Sequence, residues 1–364
     1  MKRTGDLLGV ILAFVLLGSF GCQKNEPSFS LLPDSEIFFQ NSGAVSPKID
    51  LLWVVDNSGS MHSSQVNVAN NFSSFITDFS SRGYDYRMAV IATDAYRELY
   101  TGSPTVSLFK SAAGTSIITP DTPDITNAFI DNIMVGTSGY GDERALQSMR
   151  VAMDNPNNSG LLRPDSFFAV IIVGDEDDFS HDGSDYIKNQ YTAYTDPSHL
   201  KYNVAKGHTI EKYVEYLENL TGSSGLTKRF SVNSIVIKDG DADCLSDLSN
   251  GGGQQYGIRN QALAEASDGL VASLCADFAV ELKNISENIL TLSTQFFLKR
   301  EPVPSSIVVT VNNEVIPSVE SNPGPLSGGW IYNAEANSIL FYGDYIPAAG
   351  AQISIDFDPV NLEI

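Results

Sequence analysis

Four stretches of the chain are almost unbroken apolar runs, at residues 49–55, 86–93, 167–173 and 230–237. Runs of this length mark strands buried on both faces. In the first run only Asp50 interrupts. Between the runs, apolar residues recur at helical spacing. Val68, Phe72, Phe75, Ile76 and Phe79 share one face, and Gly83 ends the pattern. Leu146, Met149 and Met153 mark a second helix. Ile210, Tyr213, Val214 and Leu217 mark a third, stopped near Gly222, and Phe278, Leu282, Ile285 and Ile289 a last one. Strands alternating with helices predict an α/β fold, a doubly wound and mostly parallel sheet flanked by helices. Such sheets bind ligands at the carboxyl ends of their strands.

The pattern changes near residue 297. Pro302 and Pro304 break the helical period. Ile307, Val309 and Val311 then alternate with other residues, and Asn312–Asn313 has the chemistry of a hairpin turn. Further short strands are predicted around 330–332, 339–342 and 353–357. Residues 297–364 therefore read as a small all-β domain behind an α/β domain at 47–296. Residues 22–46 show no sustained period and read as a tether. Residues 179–206 carry Phe179, Tyr186, Tyr191, Tyr194 and Tyr202 with little periodicity. They read either as a partner-contacting insertion, since Tyr is enriched at interfaces, or as a cover for the domain edge.

The first 21 residues have the layout of an export signal. Lys2 and Arg3 precede an apolar run at 7–17 that is too short to span a bilayer. Gly21 before Cys22 resembles the cleavage box of a bacterial lipoprotein, although Ser19 and Phe20 depart from it. The resemblance implies a lipidated Cys22 and a membrane anchor. Gln23, rather than Asp, follows the cysteine, which by the same resemblance implies the outer membrane. The alternative is a plain secretory signal that leaves Cys22 as a spare thiol. If Cys22 carries lipid, Cys244 and Cys275 remain as one pair, and an exported chain favours their oxidation. Two unrelated buried thiols are the other reading.

Charge removes several classes of partner. The chain holds 22 basic and 44 acidic residues, a formal net charge of −22. Phosphate binding needs clustered Lys and Arg, so nucleic acid is excluded as a partner. Three Cys and four His exclude a cysteine-rich zinc module and argue against a His-based metal site.

The candidate chemistry sits where the first buried run ends. Asp56-Asn57-Ser58-Gly59-Ser60 follows Val55 and precedes an amphipathic helix. One carboxylate and two hydroxyls there suit a hard cation such as Mg²⁺. A helix N-cap is the plainer use of the same residues. The stretch from Leu51 to Met61 resembles the first strand and metal-ion-dependent adhesion site of a von Willebrand factor type A domain. Two later motifs resemble it too. Thr137, in Gly136-Thr137-Ser138-Gly139, matches the family threonine, with Ser138 as runner-up. Asp175, after Val170-Ile171-Ile172-Val173-Gly174, matches the family aspartate.

The resemblance implies a Rossmann-like fold over residues 47–296. It implies that Asp56, Ser58, Ser60, Thr137 and Asp175 hold Mg²⁺, with Mn²⁺ or Ca²⁺ as alternatives. It further implies an open coordination position for an acidic side chain of a protein ligand. The function so expected is that of an exported, lipid-anchored binding protein rather than an enzyme. The alternative is a structural subunit of an envelope assembly whose metal only stabilises the fold.

Weaker signals complete the reading. Asp239-Gly240-Asp241-Ala242-Asp243 opens like a calcium loop but lacks its Gly and Glu, and reads as a solvated loop. Glu176-Asp177-Asp178 reads as a solvated strand end or a second cation site. His62 and His181 flank the motifs and offer a metal-assisted hydrolase little else to work with.

Overall fold

A computed structural model describes residues 34–39, 48–112, 114–184, 208–223, 228–248, 254–319, 328–348 and 350–360. The expected signal segment and Cys22 lie outside the described residues, as do Tyr186, Tyr191, Tyr194 and Tyr202. A short strand β1 (Asp34–Phe39) comes first. The four apolar runs then become β2 (Lys48–Val55), β3 (Asp85–Ala92), β4 (Phe167–Val173) and β5 (Phe230–Val236). With β6 (Val271–Ser273), β2 to β5 form a five-stranded sheet in the order β3-β2-β4-β5-β6, and every neighbouring pair is parallel.

Helices α1 (His62–Ser81), α2 (Glu98–Thr101), α3 (Ile125–Ile133) and α4 (Ala145–Asp154) lie between β2 and β4 in the chain. α5 (Ile210–Thr221), α6 (Ala242–Leu248), α7 (Ile258–Ala266) and α8 (Phe278–Ser293) follow. They cover both faces of the sheet, which is why β2 reads as continuous apolar. Leu51, Trp53 and Val55 enter a core with Phe72, Phe75 and Phe79 of α1, Phe129 of α3 and Leu282 of α8. Leu52 and Val54 enter the opposite core with Leu146 and Met149 of α4, Leu217 of α5 and Leu263 of α7. Trp53 meets Phe75 and Phe129 edge-on, with ring centroids 5.2 Å apart in both pairs. The architecture is the expected α/β fold.

Asp50, the one break in the first run, is fully buried. Arg163 answers it: its backbone N–H donates to Oδ2 at 2.7 Å and its Nε donates to Oδ1 at 2.8 Å.

The C-terminal strands are β7 (Phe296–Phe297), β8 (Val308–Val311), β9 (Glu314–Ile316), β10 (Gly329–Asn333), β11 (Ser338–Tyr342) and β12 (Gln352–Phe357). They form two antiparallel sheets, β1-β12-β8-β9 and β10-β11-β7. Asn312 and Asn313 make the β8–β9 turn with φ of 50° and 68°, the left-handed pair that a two-residue hairpin requires.

Two findings refine the expected organisation. Within the stretch 22–46, read above as a tether, Asp34–Phe39 is a strand paired along its length with β12, from Asp34 opposite Phe357 to Phe39 opposite Gln352. The position near 297 falls on β7, and one apolar core runs across it from α8 to Val309, Phe341 and Ile353. Arg82 and Tyr84, just past α1, donate to the carbonyls of Ile346, Gly343 and Pro347.

Cys244 and Cys275 form a disulfide with Cα atoms 5.6 Å apart. By the loop-entropy account such a bridge contributes roughly 3–4 kcal/mol. Among the described residues no helix is long and apolar enough to cross a membrane.

Candidate metal centre

The carboxyl end of β2 is held between its neighbours. Asp56 N–H donates to Val173 O of β4 at 2.9 Å, and Thr93 N–H donates to Val55 O at 3.0 Å. The chain then turns on itself. Ser58 N–H donates to Asp56 Oδ1 at 2.7 Å, and the Ser58 and Ser60 hydroxyl oxygens are 3.0 Å apart. Asp56 and Ser58 are buried, while Ser60 opens to solvent. Helix α1 begins after Met61 and takes no side-chain cap. The plainer use of these serines, as an N-cap, is therefore not the one adopted.

The loop carrying Thr137 lies against this turn. Gln65, one turn into α1, donates its Nε2 to Asp56 O at 2.9 Å and to Gly136 O at 2.8 Å. Gly139 N–H donates to Asn57 O at 2.7 Å. A Cβ on Gly139 would sit 2.3 Å from the Asn57 carboxamide, so the approach requires glycine. Thr137 is half-buried and Ser138 exposed.

Asp175 arrives from β4. Its carbonyl accepts from Gln255 N–H at 3.0 Å, and its Oδ2 accepts from Gln254 Nε2 at 3.4 Å. A Cβ on the preceding Gly174 would lie 3.6 Å from Asp56 Oδ2, so the end of β4 passes close to the Asp56 carboxylate. Burial pushes Asp56 up to about 8. The charge of Asp175 adds to this, Glu176 adds less, and the Ser58 N–H pulls the other way.

Asp56 Oδ2 and Asp175 Oδ1 are buried without a hydrogen-bond partner, and among the described residues neither carboxylate has an ion pair. Two buried acids, each with an oxygen that has no hydrogen-bond partner, lie beside hydroxyls that cap nothing, and these are the groups with the chemistry to hold a cation. Among the described residues no three His, Cys, Asp or Glu side chains converge on one point. The set is thus two carboxylates with hydroxyls, which suits a hard ion that keeps part of its water. The five residues expected from the sequence lie on segments that meet at one end of the sheet. Gln65, Asn57 and Gln254 hold those segments without a pattern in the sequence that marks them for it. A glutamine one turn into a helix has no sequence signature.

Three weaker expectations meet the structure in different ways. Glu176-Asp177-Asp178 is not a solvated strand end, because Glu176 and Asp178 are buried and Asp177 is half-buried. Asp177 accepts from Arg259 N–H at 2.7 Å, and Asp178 accepts from Leu146 N–H, Ser180 and Arg259 Nε. Asp239, Gly240, Ala242 and Asp243 are exposed, as expected of a solvated stretch, and only Asp241 is closed locally, with Oδ1 accepting from Cys244 N–H and Oδ2 from Ser273. His181 and Phe179 are buried, and His181 Nδ1 lies 2.8 Å from Phe179 O. Buried backbone donors nearby need acceptors, which is why these acids turn inward.

No family profile and no curated protein matches the chain. Solved structures do. The pilus adhesin SpaC from Lactobacillus rhamnosus GG aligns at TM-score 0.41 and 12% identity, over 86% of this chain and 39% of its own. Proximal thread matrix protein 1 from the mussel byssus, in a structure with a zinc-occupied MIDAS motif, aligns at TM-score 0.36 and 10% identity, over 71% and 51%. The pilus adhesin RrgA from Streptococcus pneumoniae aligns at TM-score 0.29 and 10% identity, over 89% and 57%. This chain thus spans about two fifths to three fifths of the proteins it is similar to. At these scores the likeness carries no functional argument, and the site rests on its own geometry.

Proposed function

We propose that the chain is an exported, lipid-anchored binding protein whose von Willebrand type A-like unit takes an acidic side chain of a protein ligand through a divalent cation. The observation that carries this reading is the pair Asp56 and Asp175. They are buried acids at the ends of adjacent strands, each with a vacant oxygen, beside the uncapping hydroxyls of Ser58 and Ser60.

Asp56, Ser58, Ser60, Thr137 and Asp175 would hold the ion, with Ser138 the alternative to Thr137. Mg²⁺ is the first choice and Mn²⁺ or Ca²⁺ the others. The ion supplies positive charge between two acids and a coordination position for a third. Gln65 and Gly139 keep the Asp56 turn and the Thr137 loop together, and Gln254 orients Asp175.

Cys22 is the lipid anchor in this reading, and the outer membrane its address. The α/β unit at 47–296 does the binding. The β unit at 297–364, joined by Asp34–Phe39, is a spacer or second contact surface. Calorimetry with Mg²⁺ tests the reading: wild type should bind and Asp56→Ala should not. Equal binding in both, or none in wild type, removes it. The mutual repulsion of Asp56 and Asp175 also gives the structural alternative a basis, because any ion between them stabilises the fold. Chelation that lowers the melting temperature but leaves capture of a protein ligand unchanged would favour that alternative.

A further inference from the structure

A ledge borders the expected metal position. β3 ends beside β2, and the chain turns through Ala95–Arg97 into α2. The loop that carries Thr137 runs on from Gly139 to Tyr140. The two segments meet where the Arg97 guanidinium lies 4.6 Å from the centroid of the Tyr140 ring. Leu99 is 50% exposed, and Tyr100 and Tyr140 are each 39% exposed. The ledge is supported from below. Arg144 sits over the Tyr96 ring at 4.2 Å and is locked to Asp142 at 2.6 Å. Tyr100 accepts a hydrogen bond from Gly183 N–H at 3.2 Å.

The charge of Arg97 is the informative part. Arg144, Arg163 and Arg259 each hold a carboxylate. Arg97 is half-buried and, among the described residues, has no ion pair, in a chain with 44 acidic residues. Stacking on an aromatic ring fixes a guanidinium while leaving its donors free, and that fork matches a carboxylate in a way an ammonium does not. Arg and Tyr in one exposed cluster are also the side chains most enriched where partners anchor.

We propose that Arg97, with Leu99, Tyr100 and Tyr140, is the second contact of the same ligand. The partner is then a protein segment with two acidic side chains, one completing the metal's coordination and one paired with Arg97, and an apolar side chain against the ledge. This rests on the metal-dependent reading above.

The test uses the full chain in detergent and fluorescein-labelled synthetic peptides with none, one or two Asp residues at varied spacing around a Leu. Binding is read by anisotropy in saturating Mg²⁺ and in EDTA. In wild type, the best two-Asp peptide should bind at least ~10-fold more tightly than any one-Asp peptide, the scale of one charge-assisted hydrogen-bonded pair. Arg97→Gln should bring the two-Asp peptide to the one-Asp affinity, leaving one-Asp binding and Mg²⁺ calorimetry unchanged. Arg97→Lys, which keeps the charge and loses the fork, should restore only part of the preference. Rising salt should erode the wild-type preference. A two-Asp preference that survives Arg97→Gln, or Mg²⁺-dependent binding with no two-Asp preference, overturns the ledge alone. Absence of Mg²⁺-dependent binding by every peptide overturns the metal reading and the ledge with it.

Discussion

Asp50 and Asp56 lie six residues apart, one inside β2 and one just past its end, and both are buried, at 0% and 1% exposure. Their surroundings are opposite. Both oxygens of Asp50 are taken by Arg163, which also pairs with Asp85. Asp56 keeps one oxygen vacant and faces a second acid. Asp50 is complete with protein atoms alone, as a structural ion pair must be. Asp56 has no counter-charge among the described residues. The difference follows from position on the strand. The amino end of β2 is closed by a loop that carries its own arginine. At the carboxyl end the chain leaves the sheet and turns back on itself at Ser58 beside the end of β4.

The largest test of this contrast is Arg163→Ala. It leaves the Asp50 charge buried and unpaired, and should cost about 3–5 kcal/mol in urea unfolding while leaving Mg²⁺ binding intact in the folded fraction. A loss within the range of a surface substitution would show that Asp50 is not held as described.

Asp56→Asn should act in the reverse manner. It removes the cost of burying Asp56 beside Asp175, which folded wild type meets by taking up a proton, so the metal-free variant should be at least as stable as metal-free wild type near neutral pH. What disappears is the stabilisation by Mg²⁺, about 2.7 kcal/mol at a hundredfold excess over the dissociation constant. Melting curves with and without Mg²⁺ read both effects.

The contrast also has a pH signature. In the folded, metal-free chain Asp56 is raised from 3.8 to about 8. The folded state thus holds a proton that the unfolded state has released, and stability falls as pH rises between those values. Wild type minus Asp56→Asn, measured by denaturation across that window, isolates the slope. Saturating Mg²⁺, which binds the ionised form, should flatten or reverse it, and a slope indifferent to Mg²⁺ would count against the site.

The smallest effect is expected at Ser60, which is exposed. Ser60→Ala should change metal-free stability by less than about 0.5 kcal/mol. It should still weaken Mg²⁺ binding in calorimetry, because Mg²⁺ tolerates poor octahedral geometry badly.

Much of the site was legible locally. Asp56-Asn57-Ser58-Gly59-Ser60 follows an apolar run directly, so its place at a strand end could be read without coordinates. Asp175 follows a second such run. What was not legible is what each acid faces. Nothing near Asp50 in sequence announces Arg163, 113 positions away. Nothing near Glu176 announces that Asp177 and Asp178 turn inward to Arg259. The Arg97–Tyr140 contact likewise joins two loops with no common pattern.

The sequence by itself determined the four long buried strands, the helical faces of α1, α4, α5 and α8 and the Asn312–Asn313 turn, because burial, period and backbone handedness are properties of neighbouring residues. Only the tertiary structure decided that Asp34–Phe39 leaves the expected tether to pair with β12, that the serines cap no helix, and that one buried aspartate is satisfied while the other is not. A pairing edge, a vacant oxygen and a counter-charge are each supplied by residues far away in the chain. Their presence depends on which strands the topology makes neighbours.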